Sequence, residues 1–213
     1  MKEALRQLSQ HAKFAQLIKQ HGPPKLRRGK NAFQALSRAI IYQQISGSAA
    51  ISIYKKFVAL FGIRLDGPID WEKPAARKFP LPEQVLKISE AKMRSAGLSP
   101  QKIKYLKDLA KKFSDGTIKH KTHDRLTNDE IIAALTAVKG IGVWTAHMFL
   151  IFSLNRPDIL PTGDLGIRKG FQILYKLRTL PDHKKMEKLA KDWREHASVA
   201  SWYLWRVADG AKE

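Results

Sequence analysis

The 213-residue sequence contains no cysteine. Without thiols the chain forms no disulfide, and it offers no thiolate to a zinc ion or an iron–sulfur cluster. Acidic residues are also scarce: 19 Asp and Glu stand against 39 Lys and Arg, so the net charge at pH 7 is +20. This excess of positive charge predicts a polyanionic partner, such as a nucleic acid.

Long apolar runs are missing as well. The longest one, residues 143–154, is interrupted by Thr145 and His147, and it falls short of the roughly 18 residues that a membrane helix needs. Residues 1–14 are too polar for a secretory signal peptide. We therefore expect no membrane partner and a cytosolic or nuclear protein. The hydrophobic content of 44% is sufficient for an ordinary folded core.

No strict alternation of polar and apolar residues is long enough to predict a strand. Apolar residues instead recur at helical spacing almost throughout, which predicts an all-α fold. The predicted helices span residues 3–20, 32–45, 48–61, 82–87, 100–113, 128–138, 143–154, 165–177, 182–196 and 199–208. A turn-rich connection is predicted for residues 62–82.

The most distinctive local pattern is a Val-Lys-Gly-Ile-Gly turn at residues 138–142, called the hairpin below, between two predicted helices. Gly140 and Gly142 allow a tight turn and a close approach to an anion, and the helix that starts near Val143 directs unpaired N–H groups toward it. A DNA phosphate suits such a site. Asp164 precedes apolar residues at helical spacing, so it should cap a helix whose dipole favours a negative charge there.

Five segments resemble, in the family's order, the helix-hairpin-helix (HhH-GPD) DNA glycosylases, and specifically the 3-methyladenine DNA glycosylase II branch. They are residues 39–46 (AIIYQQIS), 97–102 (GLSPQK), 138–146 (VKGIGVWTA), 160–166 (LPTGDLG) and 201–206 (SWYLWR). The resemblance implies one all-α unit, residues 1–213, of two helical lobes around a cleft that receives a flipped base. The helix-hairpin-helix motif is expected at residues 128–154. Residues 1–24 are too short for the N-terminal β domain of larger relatives, and no iron–sulfur cluster is expected.

The resemblance makes Asp164 the catalytic group, whereas its local pattern alone would predict only a helix cap. Cleavage of an N-glycosidic bond builds oxocarbenium character on the deoxyribose, which a fixed carboxylate stabilises. Trp144 stands where strand-cutting relatives carry a Schiff-base lysine, so a monofunctional hydrolase without lyase activity or a required cofactor is expected.

The resemblance also assigns a base pocket, because an alkylated purine carries positive charge that suits electron-rich rings. Its residues are Trp144, Met148, Trp205 and, as a weaker candidate, Tyr203. From its local pattern alone, Trp144 could equally be a core aromatic.

Three further sets of residues are expected to contact DNA or an ion. Phosphate contacts are assigned to Lys139, Gly140, Ile141, Gly142 and Thr145. Residues 43–46 (Gln43, Gln44, Ile45 and Ser46), called the wedge loop below, correspond to the family's intercalating loop, which enters from the minor groove. The local alternative for this loop is a buried helix end capped by Ser46 or Ser48. The resemblance also implies that a Na⁺ or K⁺ ion can bind at the hairpin, with the backbone carbonyls of Thr136, Val138 and Ile141 as its expected ligands.

The sequence also holds two groups of basic residues and several histidines. A stripe (Lys102, Lys104, Lys107, Lys111, Lys112) and a cluster (Lys25, Arg27, Arg28, Lys30) are expected to include phosphate contacts. Arg27, Arg28 and Lys30 equally fit a nuclear localisation signal. His123, His147, His183 and His196 show no metal-ligand spacing and are expected to be non-catalytic.

Two positions depart from the family's pattern. Glu195-His196-Ala197-Ser198 lacks an arginine that many members carry, and Met148 stands where some carry a tyrosine. The leading hypothesis is a monomeric glycosylase that excises 3-methyladenine or 7-methyladenine from duplex DNA and hands abasic sites to downstream repair enzymes. One alternative is a non-catalytic protein that binds damaged or abasic duplex. Another is a general basic binder of chromatin or RNA. The nucleus is the expected location in a eukaryote, and the cytoplasm otherwise.

Overall fold

The computed structural model describes residues 1–26, 28–29, 31–65 and 79–210, and over these ranges it is helical with no strand, so the predicted all-α class is confirmed. The α-helices are α1 Lys2–Ser9, α2 Ala12–His21, α3 Ala32–Tyr42, α4 Gly47–Ala59, α5 Pro82–Lys87, α6 Glu90–Ser95, α7 Pro100–Ser114, α8 Asn128–Thr136, α9 Val143–Phe152, α10 Leu165–Leu174, α11 His183–Ala190 and α12 Ala197–Gly210. Two 3₁₀ helices span His120–Arg125 and Lys191–His196. None of the helices in these ranges has the length and apolar character to cross a membrane. Arg27, Lys30 and most of the connection predicted for residues 62–82 lie outside the described residues.

The chain divides into two compact units. The first, called unit 1, comprises Met1–Arg27 and Leu150–Glu213, and the second, unit 2, is Arg28–Phe149. In unit 1 the Trp193 ring stacks on Phe171 at 5.7 Å between centroids and meets Phe14 edge-on at 5.2 Å. In unit 2 the rings of Phe33 and Phe113 meet at 5.1 Å. Each unit therefore has an aromatic core of its own.

Two predicted helices are each interrupted. The segment predicted as residues 3–20 breaks at His11, whose φ of −92° and ψ of 113° are extended. The break lets Leu8 and Phe14, on either side of it, both become fully buried. The segment predicted as residues 182–196 ends as a 3₁₀ helix with a kink at Trp193, which is also buried. Tertiary packing thus overrides local helix propensity at both places.

Two glycines bring α10 and α12 into close contact within unit 1. A Cβ atom on Gly170 would lie 2.4 Å from the carbonyl oxygen of Leu204, and one on Gly166 would lie 2.9 Å from Cδ1 of Trp205. The two glycines are four residues apart and share one face of α10. Their missing side chains allow Trp205 to reach the start of α10.

Candidate active site and nucleic-acid interface

Asp164 caps α10, as its sequence pattern predicts. Its Oδ1 atom accepts a hydrogen bond from the backbone N–H of Ile167 at 2.8 Å. The same oxygen accepts a hydrogen bond from Nε1 of Trp205 at 2.9 Å. One donor comes from α10 and the other from α12, so the carboxylate is fixed by two elements. Asp164 is half-buried, which leaves part of it accessible.

An aromatic surface adjoins this carboxylate. The rings of Phe152 and Trp205 stack at 5.8 Å between centroids, with 27° between their planes. Phe152 is 41% exposed although it is a large apolar side chain. Trp205 is half-buried. Two stacked rings next to a fixed carboxylate, one of them exposed, can bind a flat, positively charged ring. The sequence indicated Trp205 but not Phe152.

Tyr203 has a different role from the one expected of it. Its side chain is fully buried, and its hydroxyl donates a hydrogen bond to the carbonyl oxygen of Gly22 at 2.9 Å. Burial raises the pKa of Tyr203 to about 12. These contacts make Tyr203 a residue of the unit 1 core, and we assign it no part in the base pocket.

The segment that leads into α10 is held by the start of α12 and by the residues before it. Ser198 donates its backbone N–H to the Pro157 carbonyl oxygen at 2.9 Å and its hydroxyl to the Arg156 carbonyl oxygen at 2.6 Å. Arg194 donates to the carbonyl oxygen of Asp158. Ala197 is fully buried. Several hydrogen bonds therefore fix this segment without an arginine at position 197.

The hairpin forms between α8 and α9, as predicted. The Ile141 N–H donates to the Val138 carbonyl oxygen at 3.1 Å, and Gly140 has a φ of 81°. Lys139, Gly140 and Gly142 are exposed, while Val138 and Ile141 are buried. A Cβ atom on Gly142 would meet no atom within 4 Å. The turn is thus anchored by its two apolar side chains and presents an open backbone.

Helix α7 supports the hairpin from within unit 2. A Cβ atom on Gly140 would lie 2.1 Å from Cδ2 of Tyr105, so the backbone rests directly on that ring. The Lys139 N–H donates to Oδ2 of Asp108 at 2.8 Å, and Lys112 forms an ion pair with Asp108 at 2.8 Å. Burial acts to raise the pKa of Asp108, but the hydrogen bonds from Lys112 and Lys139 outweigh it and hold that pKa below its ordinary value.

The Asp108 anchor should make stability depend on pH. Because the pKa in the folded state lies below the ordinary value of 3.8, the anchor stabilises the fold fully above about pH 4 and loses its effect as the pH falls through the folded pKa. We expect Asp108→Asn to lower the free energy of unfolding by about 1–2 kcal/mol at neutral pH. Urea titrations at neutral pH and at about pH 3 should show this difference shrinking in acid. Asp129→Asn, an exposed site on α8, is the matched control, and a pH-independent difference at Asp108 would contradict the prediction.

Much of the basic stripe on α7 has a structural role. Lys102 donates through Nζ to the Ile41 carbonyl oxygen at 2.6 Å, and Lys107 donates to the carbonyl oxygens of Leu86 and Ile88. Burial lowers the pKa of Lys102 and of Lys107. Lys112 is bound to Asp108, so it also has a partner within the protein. Of the five lysines, we therefore expect only the exposed Lys104 and Lys111 to contact phosphates.

The wedge loop joins α3 to α4. Gln43 ends α3, and Ser46 caps α4 by accepting the Ala49 N–H at 3.4 Å. Between them, Gln44 has a φ of 57° and Ile45 is 37% exposed. The structure therefore confirms that Ser46 caps α4. Because the tip of the loop is exposed, the loop is not a buried helix end.

Trp144 and Met148 lie one turn apart on α9. Trp144 is 54% exposed, so it is not a core aromatic. Met148 is half-buried, whereas Thr145 is buried. No group of three or more His, Asp or Glu side chains in the described part of the chain could hold a metal ion.

Comparisons with known proteins identify the family of this chain. The family model described as "HhH-GPD superfamily base excision DNA repair protein" matches residues 37–196. A DNA-3-methyladenine glycosylase 1 of Schizosaccharomyces pombe is 34% identical over 197 residues, which cover 92% of this chain and 81% of that protein. Among solved structures, a Schizosaccharomyces pombe 3-methyladenine DNA glycosylase in complex with abasic DNA is 33% identical with a TM-score of 0.74, covering 96% of this chain and 95% of that one.

A second solved structure, a DNA-3-methyladenine glycosidase of Bacillus halodurans, is 33% identical with a TM-score of 0.82. The alignment covers 99% of this chain and 91% of that one. The family model spans most of the chain, and these relatives are matched over 81% to 95% of their length. The chain therefore belongs to the HhH-GPD superfamily of base excision DNA repair proteins, in the branch of the 3-methyladenine DNA glycosylases.

Proposed function

We propose that this protein is a monofunctional DNA glycosylase that hydrolyses the N-glycosidic bond of alkylated purines, such as 3-methyladenine and 7-methyladenine, in duplex DNA. The observation that carries the proposal is the Asp164 carboxylate, which is fixed by Ile167 and Trp205. It lies beside the stack of the exposed Phe152 on the half-buried Trp205. This arrangement pairs an anion for the sugar with an aromatic surface for the base. The names of the matched relatives agree with it.

The proposed reaction needs little acid catalysis, because an alkylated purine is already cationic. When its C1′–N bond breaks, the electron pair stays with the base, which leaves neutral, and positive charge develops on the deoxyribose. The Asp164 carboxylate stabilises that charge. Water then forms the new bond to C1′ and loses a proton to the carboxylate or to solvent, which gives an abasic sugar and a free base.

The base must leave the duplex before this reaction can occur. We assign the phosphate contacts to the exposed backbone of Gly140 and Gly142 and to the side chain of Lys139, whose backbone N–H is bound by Asp108. The buried Ile141 holds the turn in place. The buried Thr145 is assigned to packing at the start of α9. The wedge loop enters the gap that the flipped base leaves in the stack. This part of the proposal rests on the resemblance, on exposure and on charge.

Trp144 and Met148 are proposed as further surfaces for the base, on the resemblance and on the exposure of Trp144. Neither side chain carries an amine, so neither can form a Schiff base with the abasic sugar. The DNA strand is therefore expected to stay intact after the base is released.

A Na⁺ or K⁺ ion at the hairpin is also a proposal. Carbonyl oxygens are suitable ligands for such ions, and those of Thr136, Val138 and Ile141 lie at the end of α8 and in the hairpin. The Val138 carbonyl also accepts the Ile141 N–H, so only part of its acceptor capacity is available to an ion. No step of the proposed reaction passes through the ion. Repair of chromosomal DNA would place the protein in the nucleus of a eukaryote or in the cytoplasm of a prokaryote.

The test is base release from duplex oligonucleotides that carry 7-methylguanine or 3-methyladenine, followed by separation of the free bases. We expect released methylpurine, and strand breaks only after alkali is added. Binding to an abasic duplex is measured on the same preparation. Breaks without alkali would contradict the monofunctional assignment.

A second candidate function, a non-catalytic binder of abasic or damaged duplex, is favoured by Ala197 and Met148, which depart from the family's pattern. It predicts tight binding to the abasic duplex without released base. Affinity governed by salt alone, with no preference for lesions, would contradict both candidates and favour a general nucleic-acid binder.

A further inference from the structure

Gln43, the first residue of the wedge loop, links this loop to the hairpin. Its backbone leaves the helical conformation at the end of α3, with a φ of −59° and a ψ of 133°. Its side chain is half-buried and turns toward the hairpin, where Nε2 donates to the carbonyl oxygen of Gly140 at 2.8 Å. The bond spans 97 residues of sequence. It joins the loop assigned to the base stack directly to the turn assigned to the DNA backbone.

The acceptor of this bond is on a rigid support. Gly140 rests on the Tyr105 ring, and the neighbouring Lys139 N–H is bound by Asp108. The donor end is also held, because Lys102 donates to the Ile41 carbonyl oxygen near the end of α3. All three supporting side chains come from α7. The Gln43 side chain therefore connects two segments that are anchored on the same helix.

The residue after Gln43 shows why such an anchor is needed. Gln44 has a φ of 57°, in the left-handed region that a residue with a side chain seldom adopts. A strained conformation of this kind persists only where the surrounding structure determines it. Here Gln43 fixes one flank of Gln44, and the Ser46 cap of α4 fixes the other. The exposed Ile45 is held at the tip of the loop as a result.

We propose that Gln43 is a positioning residue that holds the wedge loop ready for insertion and couples it to the hairpin's grip on the DNA backbone. The inference rests on the proposed function, since it concerns how a base is brought out of the duplex. Once the hairpin binds a phosphate, the amide of Gln43 fixes the wedge loop at a set position relative to that phosphate. Loss of the amide leaves the grip intact but frees the loop to relax from its strained conformation.

Gln43→Met tests the coupling, because methionine is similar in size and uncharged but cannot donate to the Gly140 carbonyl. Gln34→Met is the matched control: Gln34 is also half-buried, lies on the same α3 and donates its amide to the Tyr54 hydroxyl at 2.9 Å. The probe is a duplex with an abasic site opposite 2-aminopurine, whose fluorescence rises when it is unstacked. Affinities for this duplex and for an intact duplex are measured over a range of salt concentrations.

We expect Gln43→Met to reduce the preference for the abasic over the intact duplex by about five- to tenfold, and to reduce the fluorescence change. Affinity for the intact duplex and its salt dependence should stay close to those of the wild type for both variants, and Gln34→Met should also keep the wild-type preference and fluorescence change. Each variant loses one side-chain hydrogen bond, so both should lower the free energy of unfolding by a similar amount, about 1 kcal/mol. An equal loss of affinity for both duplexes would overturn the inference, because Gln43 would then only stabilise the hairpin. An unchanged preference would overturn it as well.

The fluorescence measurement requires no base release. A wild-type protein that unstacks the probe without releasing methylpurines would contradict the proposed function, yet a weaker signal from Gln43→Met would still support the coupling. Conversely, normal base release by Gln43→Met with wild-type fluorescence would overturn the coupling alone.

Discussion

Asp164→Asn should reduce the rate of base release by at least about 100-fold. The oxygen of an asparagine can still accept the Ile167 N–H and the Trp205 Nε1–H, both of which reach Oδ1 in the wild type. Asparagine is also a good helix cap. The variant therefore removes the negative charge while these two hydrogen bonds can still form. Single-turnover release of 7-methylguanine, measured together with the free energy of unfolding, separates the chemistry from the fold.

Asp182→Asn is the matched control for this variant. Asp182 caps α11 in the same unit, and its Oδ1 accepts the Lys185 N–H at 2.8 Å. It has the same local role as Asp164 but no contact with Trp205 among the hydrogen bonds described. Release by Asp182→Asn should match that of the wild type. A wild-type rate in Asp164→Asn would mean that the carboxylate does not stabilise the sugar, and the proposed mechanism would be wrong.

The features that the sequence predicted best are those decided within a few residues. Asp164 was expected to cap a helix because capping acts within one turn, and the structure shows that bond to Ile167. The hairpin was expected because Gly140 and Gly142 interrupt two helical patterns, and Gly140 indeed requires a positive φ. Neither prediction depended on distant parts of the chain.

The sequence did not predict the positions of side chains that are fixed by packing between helices. Helix α9 is apolar on nearly every side, so the sequence pattern did not reveal that Phe152 is exposed while Phe149 is buried. Tyr203 and Trp205 are two residues apart on α12, and consequently face different directions. Only the approach of α10, permitted by Gly166 and Gly170, turns Trp205 toward Asp164 and leaves Tyr203 in the core.

Charge patterning was informative about the whole chain but not about single residues. The net charge of +20 favoured a polyanionic partner, in agreement with the family to which the chain belongs. Yet Lys102 and Lys107 on α7 bind backbone carbonyls of α3 and of the α5 region. Their partners lie 61 and about 20 residues away in sequence, so spacing within α7 carried no sign of them. A lysine on a basic stripe can thus be a structural donor as readily as a phosphate contact.

Gly140→Ala should weaken binding to every DNA duplex, whether or not it carries a lesion. The substitution imposes a side chain on a φ of 81° and places Cβ 2.1 Å from the Tyr105 ring. Strain and overpacking together should lower the free energy of unfolding by about 2–4 kcal/mol. The hairpin must shift to relieve the clash, and its open backbone then loses the geometry that suits a phosphate. We expect the affinity for intact and abasic duplexes, measured at one salt concentration, to fall together by at least about tenfold.

A substitution at a second glycine of the same unit separates the effect of backbone strain from the effect of the clash with Tyr105. Gly116 has a φ of 79°, but a Cβ atom there would meet nothing within 4 Å. Gly116→Ala should therefore lower the free energy of unfolding by only about 1 kcal/mol and leave DNA affinity unchanged. Adding Tyr105→Ala to Gly140→Ala removes the clash but not the strain, so it should recover part of the lost affinity. Equal DNA affinities of Gly140→Ala and Gly116→Ala would contradict this prediction. The Tyr105 ring would then not be the support of the hairpin, and phosphate binding would have to be assigned elsewhere on unit 2.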